Sequence, residues 1–252
     1  LGRDARWRTA AWAVEGAGIF WLGLRQQRPM ARAFALLLQL GSALTFLSQL
    51  SDGEGSLLDG VPLGALLLGV ALLFSFYQLH KAPPEQVSPW ERKGVPVLAC
   101  LGLTFLYLLA PLFFFTEGTT ISWALAGLIT LFVGLRLPSR TFVFTAMAVQ
   151  WLGGVLFLVA APLFTEDLRP LAHGGFWTPL ILGLAGLVGA WHVQFSKPAT
   201  AFDGLTLQRL SQALLVWGAG WWALAWVSEV LRFAPPSLQA PLLLAVVALS
   251  VA

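Results

Sequence analysis

Charged residues are scarce in this sequence. Only 11% of its 252 residues are Asp, Glu, Lys or Arg, whereas a soluble domain carries about 25%. Hydrophobic residues make up 58% of the chain, and its mean hydropathy is +0.77. A water-soluble fold of this length cannot hide so much apolar surface, because folded proteins still expose a large area that needs polar cover. The composition therefore excludes a soluble domain and indicates that lipid surrounds most of the chain.

Cysteine and the residues of catalytic motifs are also scarce. The single Cys100 excludes an intrachain disulfide, and its apolar surroundings in the sequence predict a small buried side chain. The chain has no zinc-ligand spacing, no P-loop, no glycine-rich dinucleotide motif and no nucleophile elbow. We therefore predict no metal and no other cofactor. The net charge of +3 and the placement of basic residues in short loops argue against nucleic acid binding.

Long apolar runs are what the sequence has instead. A helix needs about 20 apolar residues to cross the hydrocarbon core of a membrane, or fewer where the bilayer thins. The runs are separated by turns rich in Pro, Gly, Asp and Ser, and they are longer and more uniformly apolar than the alternating strands of a membrane β-barrel. The predicted spans are Thr9–Leu24, Ala31–Leu50, Val61–Leu79, Val95–Phe115, Ile121–Leu137, Thr141–Phe164, Phe176–Phe195 and Leu207–Leu231, and a ninth begins near Leu238.

One pattern occurs twice, 111 residues apart. The segment Trp12–Arg25, "WAVEGAGIFWLGLR", corresponds to Trp123–Arg136, "WALAGLITLFVGLR", and Gln39 corresponds to Gln150 at the same offset. A unit of four spans is even, so both copies would have the same orientation in the membrane. The sequence therefore predicts an all-α, polytopic transmembrane bundle of about eight to nine spans, built from tandem parallel four-helix repeats.

The repeat also predicts the domain organisation. The first repeat covers residues 1–118, the second covers 119–233, and a further span begins within 234–252. The last apolar run is too short to complete a span. We therefore expect the chain to be a piece of a longer polytopic protein.

Basic residues indicate the orientation. The odd-numbered loops hold ten Lys and Arg residues and the even-numbered loops hold two, while acidic residues such as Asp52, Glu54, Glu166 and Asp167 favour the even-numbered loops. Because Lys and Arg accumulate in cytoplasmic loops, we place the odd-numbered loops in the cytoplasm. Arg25 and Arg136 would then anchor their helices at the cytoplasmic interface. Three arginines near the start of the chain fall on the outer side, against this rule: Arg3, Arg6 and Arg8.

Three polar residues inside predicted spans are candidates for a role within the membrane: Glu15, Gln39 and Gln150. Glu15 is replaced by Ala126 in the second copy. A charge at mid-membrane costs about 2.5–3.5 kcal/mol on insertion scales, so Glu15 must be protonated, paired on another helix or in contact with water. It is a candidate proton, cation or headgroup site, or a structural hydrogen-bonding residue. Gln39 and Gln150 are candidates for interhelical amide bonds, because both copies have them.

Other candidates lie near helix ends or along one helix. Glu117 and Glu229 are predicted at the outer ends of equivalent helices, as solvated residues or as a shared acidic site. His80 and His192 lack a metal-ligand partner at helical spacing and are predicted to be interface anchors. Four tryptophans of the eighth span form a stripe suited to helix packing, a lipid groove or sugar stacking: Trp217, Trp221, Trp222 and Trp226.

The first copy of the pattern is similar to a known family. The segment Ala10–Arg28, "AAWAVEGAGIFWLGLRQQR", resembles bacterial membrane proteins grouped as domain of unknown function 2339. The resemblance implies a longer, many-span protein of the bacterial inner membrane, often with an N-terminal coiled-coil region. It implies no established activity and no catalytic residues. The second copy departs from the family pattern at Ala126.

Three classes of function are compatible with these features. The first is a non-enzymatic scaffold or partner-binding subunit of a cell-envelope assembly, with the lipid bilayer and other membrane or periplasmic protein subunits as partners. The second is a transporter or a lipid or glycan translocation component that uses Glu15. The third, which the sequence favours least, is an enzyme acting on lipid-linked substrates. Such enzymes need clustered carboxylates, histidines or a nucleophile, and none clusters along this sequence.

Overall fold

A computed structural model describes residues 2–48, 60–160, 169–196 and 202–251 of the chain. These ranges are almost entirely α-helical and contain no β-strand, which confirms the predicted all-α class. The acidic residues named above for the second and sixth loops lie outside the described residues. Within these ranges the helices are α1 Gly2–Arg25, α2 Pro29–Ser48, α3 Gly60–Lys81, α4 Pro89–Tyr107, α5 Leu109–Phe113, α6 Thr116–Arg136, α7 Arg140–Ala160, α8 Gly174–Phe195, α9 Gly204–Phe233 and α10 Pro236–Val251.

Seven helical segments in the described part are long and apolar enough to cross a membrane. Six of them are α2, α3, α6, α7, α8 and α9, and the seventh consists of α4 and α5 together. The predicted first span lies within α1, which is not among the seven, and the predicted ninth run corresponds to α10, which is shorter. The helix lengths and apolar surfaces are therefore those of a membrane protein.

Helix boundaries follow from local backbone chemistry. Proline occupies the first position of α2, α4 and α10, where its fixed φ suits a helix and its missing N–H leaves no donor unpaired. After α1, the N–H of Arg28 donates to the carbonyl of Gly23 at 2.9 Å. After α6, the N–H of Ser139 donates to the carbonyl of Gly134 at the same distance. These six-to-one bonds close both helices in the same way.

A side-chain cap starts α9. The N–H of Thr206 donates to Asp203 Oδ1 at 2.9 Å. Hydrogen bonds from the side chain and the backbone of Thr206 hold the pKa of the exposed Asp203 carboxyl below its ordinary value. The ionised form is the better acceptor for the helix N-terminus, so this residue fixes where the helix begins.

The chain forms two compact units, residues 1–113 and 114–252. In the first unit, α1 packs against both α2 and α3, and α3 packs against α4. In the second unit, α6 packs against both α7 and α8, and α8 packs against α9. The boundary lies five residues before the end predicted for the first repeat, and α10 belongs to the second unit.

Small residues let the helices approach closely in both units. A Cβ at Gly16 would lie 2.8 Å from Gln39 Cγ, and a Cβ at Gly127 would lie 2.7 Å from Gln150 Cγ. In the second unit, a Cβ at Gly218 would lie 2.6 Å from the backbone nitrogen of Leu187. Backbone contact at such sites is how membrane helices associate without a hydrophobic driving force.

The outward faces are strongly apolar. Leu37 and Leu44 of α2 are 70% and 69% exposed, and Val159 of α7 is 82% exposed. Contiguous exposure of this kind would aggregate in water but suits acyl chains. Cys100 is exposed on this surface, so the prediction of a buried thiol is wrong. The error arose because an apolar run in lipid does not distinguish the inner from the outer side of a helix.

Candidate functional site

Glu15 lies on the outer face of its unit. Its neighbour Gly16 packs against Gln39, which is near the middle of α2, so Glu15 is level with the centre of that helix. The Glu15 side chain is nevertheless exposed, as are Val14 and Gly18 on the same surface. No hydrogen bond or ion pair joins Glu15 to the described side chains of α2, α3 or α4. The described side chains of its own unit therefore do not neutralise this acid.

The two predicted glutamines are fully buried at matching places. Gln39 Nε2 donates to Ser75 Oγ on α3 at 2.8 Å. Gln150 is also 0% exposed, but neither its amide oxygen nor its amide nitrogen has a partner among the described protein atoms. Gln39 packs against Gly16 of α1, and Gln150 packs against Gly127 of α6. The first glutamine thus joins helices as expected, and the second fills the same position without that bond.

A buried ion pair joins α2 to α4 in the first unit. Arg32 Nε donates to Glu91 Oε1 at 2.6 Å, and Arg32 Nη2 donates to Glu91 Oε2 at 3.0 Å. The two side chains are only 3% and 0% exposed. Paired parallel hydrogen bonds of this type are the strongest polar contacts available to arginine. The pair locks the first turns of the two helices together.

Glu91 also organises the start of α4. It is the third residue of that helix, and its Oε2 accepts the N–H of Ser88 at 2.8 Å. This is half of a capping box, which satisfies a backbone donor that the helix cannot reach. The sequence shows the signal as Ser88 followed by Glu91. It was overlooked because Arg92 and Lys93 follow directly, so the group resembled solvated loop charges.

A second buried polar cluster lies in the second unit, where α9 meets the segment before α8. Glu229 is 6% exposed; its Oε1 accepts the N–H of Leu171 at 2.6 Å and its Oε2 is 3.0 Å from His173 Nε2. The indole of Trp177 donates to the carbonyl of Leu171 at 2.8 Å. Leu171 has a φ of 60°, a left-handed conformation that is uncommon for leucine. The carboxylate therefore holds a strained loop against α9.

Glu117 approaches the same loop from α6. Its carboxylate lies against the α-carbon of Gly174, where any side chain would collide with it. Gly174 directly follows His173, so both predicted outer acids are near the N-terminus of α8. Negative charge is favourable there because the helix dipole is positive at that end. Glu229 is not a solvated helix end, and His173 was overlooked because it lies in a short loop without a motif.

Removing the Glu229 carboxylate is expected to loosen this loop. In Glu229→Ala the Leu171 amide and His173 Nε2 lose their partner, and each buried unsatisfied group costs about 1–3 kcal/mol. Amide hydrogen exchange at Leu171 should therefore accelerate by at least about fivefold. The matched control is Glu117→Ala, because Glu117 makes no hydrogen bond to the described residues. Equal acceleration in both variants would contradict the assignment.

The four tryptophans of the stripe contact three different helices. Trp217 and Trp221 face α7, where both indoles contact Gly154. Trp226 packs edge-on against Phe176 of α8, with ring centroids 5.2 Å apart. Trp222 Nε1 donates to Ser250 Oγ of α10 at 2.9 Å. Trp217 and Trp221 also line an apolar groove of about 400 Å³ between α7 and α9.

The predicted interface residues occupy different surroundings. Arg25 is exposed and lies 5.0 Å from the ring of Trp21, and Arg136 is exposed at the end of α6. His80 is exposed and stacks on Phe76, whereas the half-buried His192 ring lies 4.1 Å from that of Phe132. These placements bring none of the four into the two polar clusters. Among the described residues, no group of three or more His, Cys, Asp or Glu side chains is arranged to hold a metal ion.

Comparison with other proteins adds no relative. No family model matches the chain, and no curated protein or solved structure is measurably similar to it. Membership of the family named from Ala10–Arg28 therefore stays a prediction.

Proposed function

We propose that this chain is a multi-pass, non-enzymatic scaffold of a bacterial inner-membrane assembly, and that α1 binds a helix of another membrane subunit. The observation that supports this most directly is the position of Glu15. It is exposed at the level of the middle of α2 and is not neutralised by the described side chains of its own unit. In the proposed orientation the odd-numbered loops face the cytoplasm, and further partners are periplasmic or membrane subunits.

The energetic argument concerns a carboxyl group in hydrocarbon. An ionised acid at mid-membrane costs about 2.5–3.5 kcal/mol, which a hydrogen-bond donor or a cation on a neighbouring helix offsets. Gly18 lies one turn from Glu15 on the same face, and nothing lies within 4 Å of the place where its Cβ would be. A glycine beside a polar residue allows a second helix to approach closely enough to donate.

The second unit supports a role for Glu15 outside the fold. We propose that the two units are tandem copies of one four-helix module, since the Gly16–Gln39 and Gly127–Gln150 contacts match and both first helices end with the same backbone bond. The second copy keeps these features with Ala126 in place of the acid. The module therefore does not need an acid at this position to pack.

Photocrosslinking from α1 tests the scaffold proposal. A p-benzoylphenylalanine at Gly18, in the protein expressed in its native membrane, should capture one discrete polypeptide. Interhelical hydrogen bonds are worth roughly 0.6–2 kcal/mol, so Glu15→Ala should lower the yield by roughly 3- to 30-fold. The same probe at Ile129, the position 111 residues later on α6, serves as the site control because its unit carries Ala126.

A second variant distinguishes the effect of the Glu15 carboxyl group from the effect of the shape of the surrounding surface. Val14→Ala trims an exposed apolar side chain beside Glu15 and should leave the yield unchanged. Lipid adducts alone at Gly18 would contradict the scaffold. They would favour the alternative of lipid or glycan translocation, which the groove lined by Trp217 and Trp221 supports.

A further inference from the structure

A second groove lies between α2 and α4 of the first unit. It has a volume of about 360 Å³ and apolar walls that include Leu36, Leu37 and Leu40 on α2 and Val97 and Leu98 on α4. Gly94 lines it as well, and nothing lies within 4 Å of the place where its Cβ would be. The groove is therefore an open apolar channel on the outer face of the unit.

The mouth of this groove is basic. The Arg32–Glu91 pair brings the starts of α2 and α4 together, at the end of the unit where α1 and α3 finish. Exposed charges at that end are five basic residues and one acid: Arg25, Arg28, Lys81, Arg92 and Lys93, with Glu85. The helix dipoles largely cancel here, because the N-termini of α2 and α4 lie at the same end as the C-termini of α1 and α3, so the side-chain charges set the sign. This end of the unit therefore attracts anions.

The geometry points to one anionic phospholipid as the occupant. We propose that its acyl chain lies in the groove between α2 and α4 and that its phosphate contacts Lys93 and Arg28. Lys93 is three residues after Trp90 and four before Val97, both of which line the groove, so it lies on the same side of α4. The Arg32–Glu91 pair is internally neutral and forms a wall near the mouth rather than the anion contact.

The dimensions of the groove favour an acyl chain over a helix. On α2 its walls run from Ala33 to Leu40, roughly 10 Å along the helix axis. A docked transmembrane helix would need a contact surface along most of the roughly 30 Å hydrocarbon core. The groove therefore accommodates the part of one acyl chain nearest the headgroup, and the rest of that chain extends into the bilayer.

Native mass spectrometry of the full chain in mild detergent tests this proposal. With equal amounts of palmitoyl-oleoyl phosphatidylglycerol and phosphatidylethanolamine, we expect one phosphatidylglycerol to be retained at least fivefold more strongly. Gly94→Leu places a side chain in the groove, where its Cβ has no atom within 4 Å, and should abolish retention. Gly41→Leu is the matched control, since Gly41 of α2 also has open space around its Cβ and does not line the groove.

Charge variants test the mouth separately. A basic residue near a membrane surface contributes about 1 kcal/mol to anionic lipid binding, so Lys93→Gln should weaken retention by about fivefold. Arg136→Gln in the other unit should leave it unchanged. If Gly94→Leu does not fold, Val97→Trp is the second variant that fills the groove, and it should also abolish retention of the lipid.

Three results would overturn the proposal. They are equal retention of the two lipids, unchanged retention when the groove is filled, and capture of a polypeptide by a photoreactive residue at Gly94. The proposal concerns α2 and α4 and does not depend on Glu15. Its failure would therefore leave the scaffold function untouched, and the reverse is also true.

Discussion

Replacing Glu91 with Gln is expected to lower the free energy of unfolding by about 3–5 kcal/mol, the usual cost of leaving a buried charge without its partner. Arg32 is 2% exposed and cannot reach water without opening the helix pair. Its Nη1 already lacks a partner among the described protein atoms, so Arg32 depends on the two bonds to Glu91. The measurement is equilibrium unfolding in mild detergent.

A double variant distinguishes a charge effect from a packing effect. Arg32→Met combined with Glu91→Leu removes both charges and keeps their approximate volume, which is often neutral or stabilising by about 1–4 kcal/mol. Glu85→Gln is the matched single control, because Glu85 is exposed in the 3₁₀ turn at Pro84–Gln86, and should change stability by less than about 0.5 kcal/mol. If the double variant were as unstable as Glu91→Gln, the ion pair would not be the cause.

Gly218→Ala is expected to destabilise the second unit by about 1–3 kcal/mol, the usual cost of overpacking. A Cβ there would lie 2.6 Å from the nitrogen of Leu187 and 2.8 Å from the carbonyl oxygen of Gly183. Both atoms belong to the backbone of α8, so relief requires the two helices to separate. Thermal unfolding in detergent, followed by the loss of monodisperse protein, measures the effect.

Gly220→Ala is the matched control on the same helix. Nothing lies within 4 Å of the place where its Cβ would be. Alanine favours a helix interior over glycine by up to about 1 kcal/mol, so this variant should be neutral or more stable. Destabilisation of equal size in both variants would show that α9 tolerates no side chain at either position and would contradict the close-approach argument.

In the first unit, Gly102→Ala should destabilise the protein for the same reason but by a smaller amount. A Cβ at Gly102 would meet the side chain of Leu73 at 2.7 Å and the backbone nitrogen of Leu73 at 3.1 Å. A leucine side chain can change rotamer, whereas a backbone cannot. We therefore expect Gly102→Ala to cost less than Gly218→Ala.

Individual residues show how far the sequence alone leads. Gln39 was singled out by its repetition 111 residues later, and it does pack against Gly16, which lies in the other repeated segment. The partners of Glu91 and Glu229 could not be identified in this way. Their partners are 59 and 56 residues away, and each lies at a helix end, where a charged residue is normally solvated. Only the packing of α2 beside α4, and of the loop before α8 beside α9, takes these carboxylates out of water.

The sequence by itself determined the helical class and the approximate positions of the spans, because a backbone in hydrocarbon must satisfy its own hydrogen bonds and long apolar runs do so only as helices. It also determined where most helices end, since proline and polar turns act locally. The tertiary structure alone decided which faces are outside and which charges are paired. Apolar side chains are equally stable against lipid and against protein. The hydrophobic pattern therefore does not indicate which face of a helix lies outside or which charges are paired.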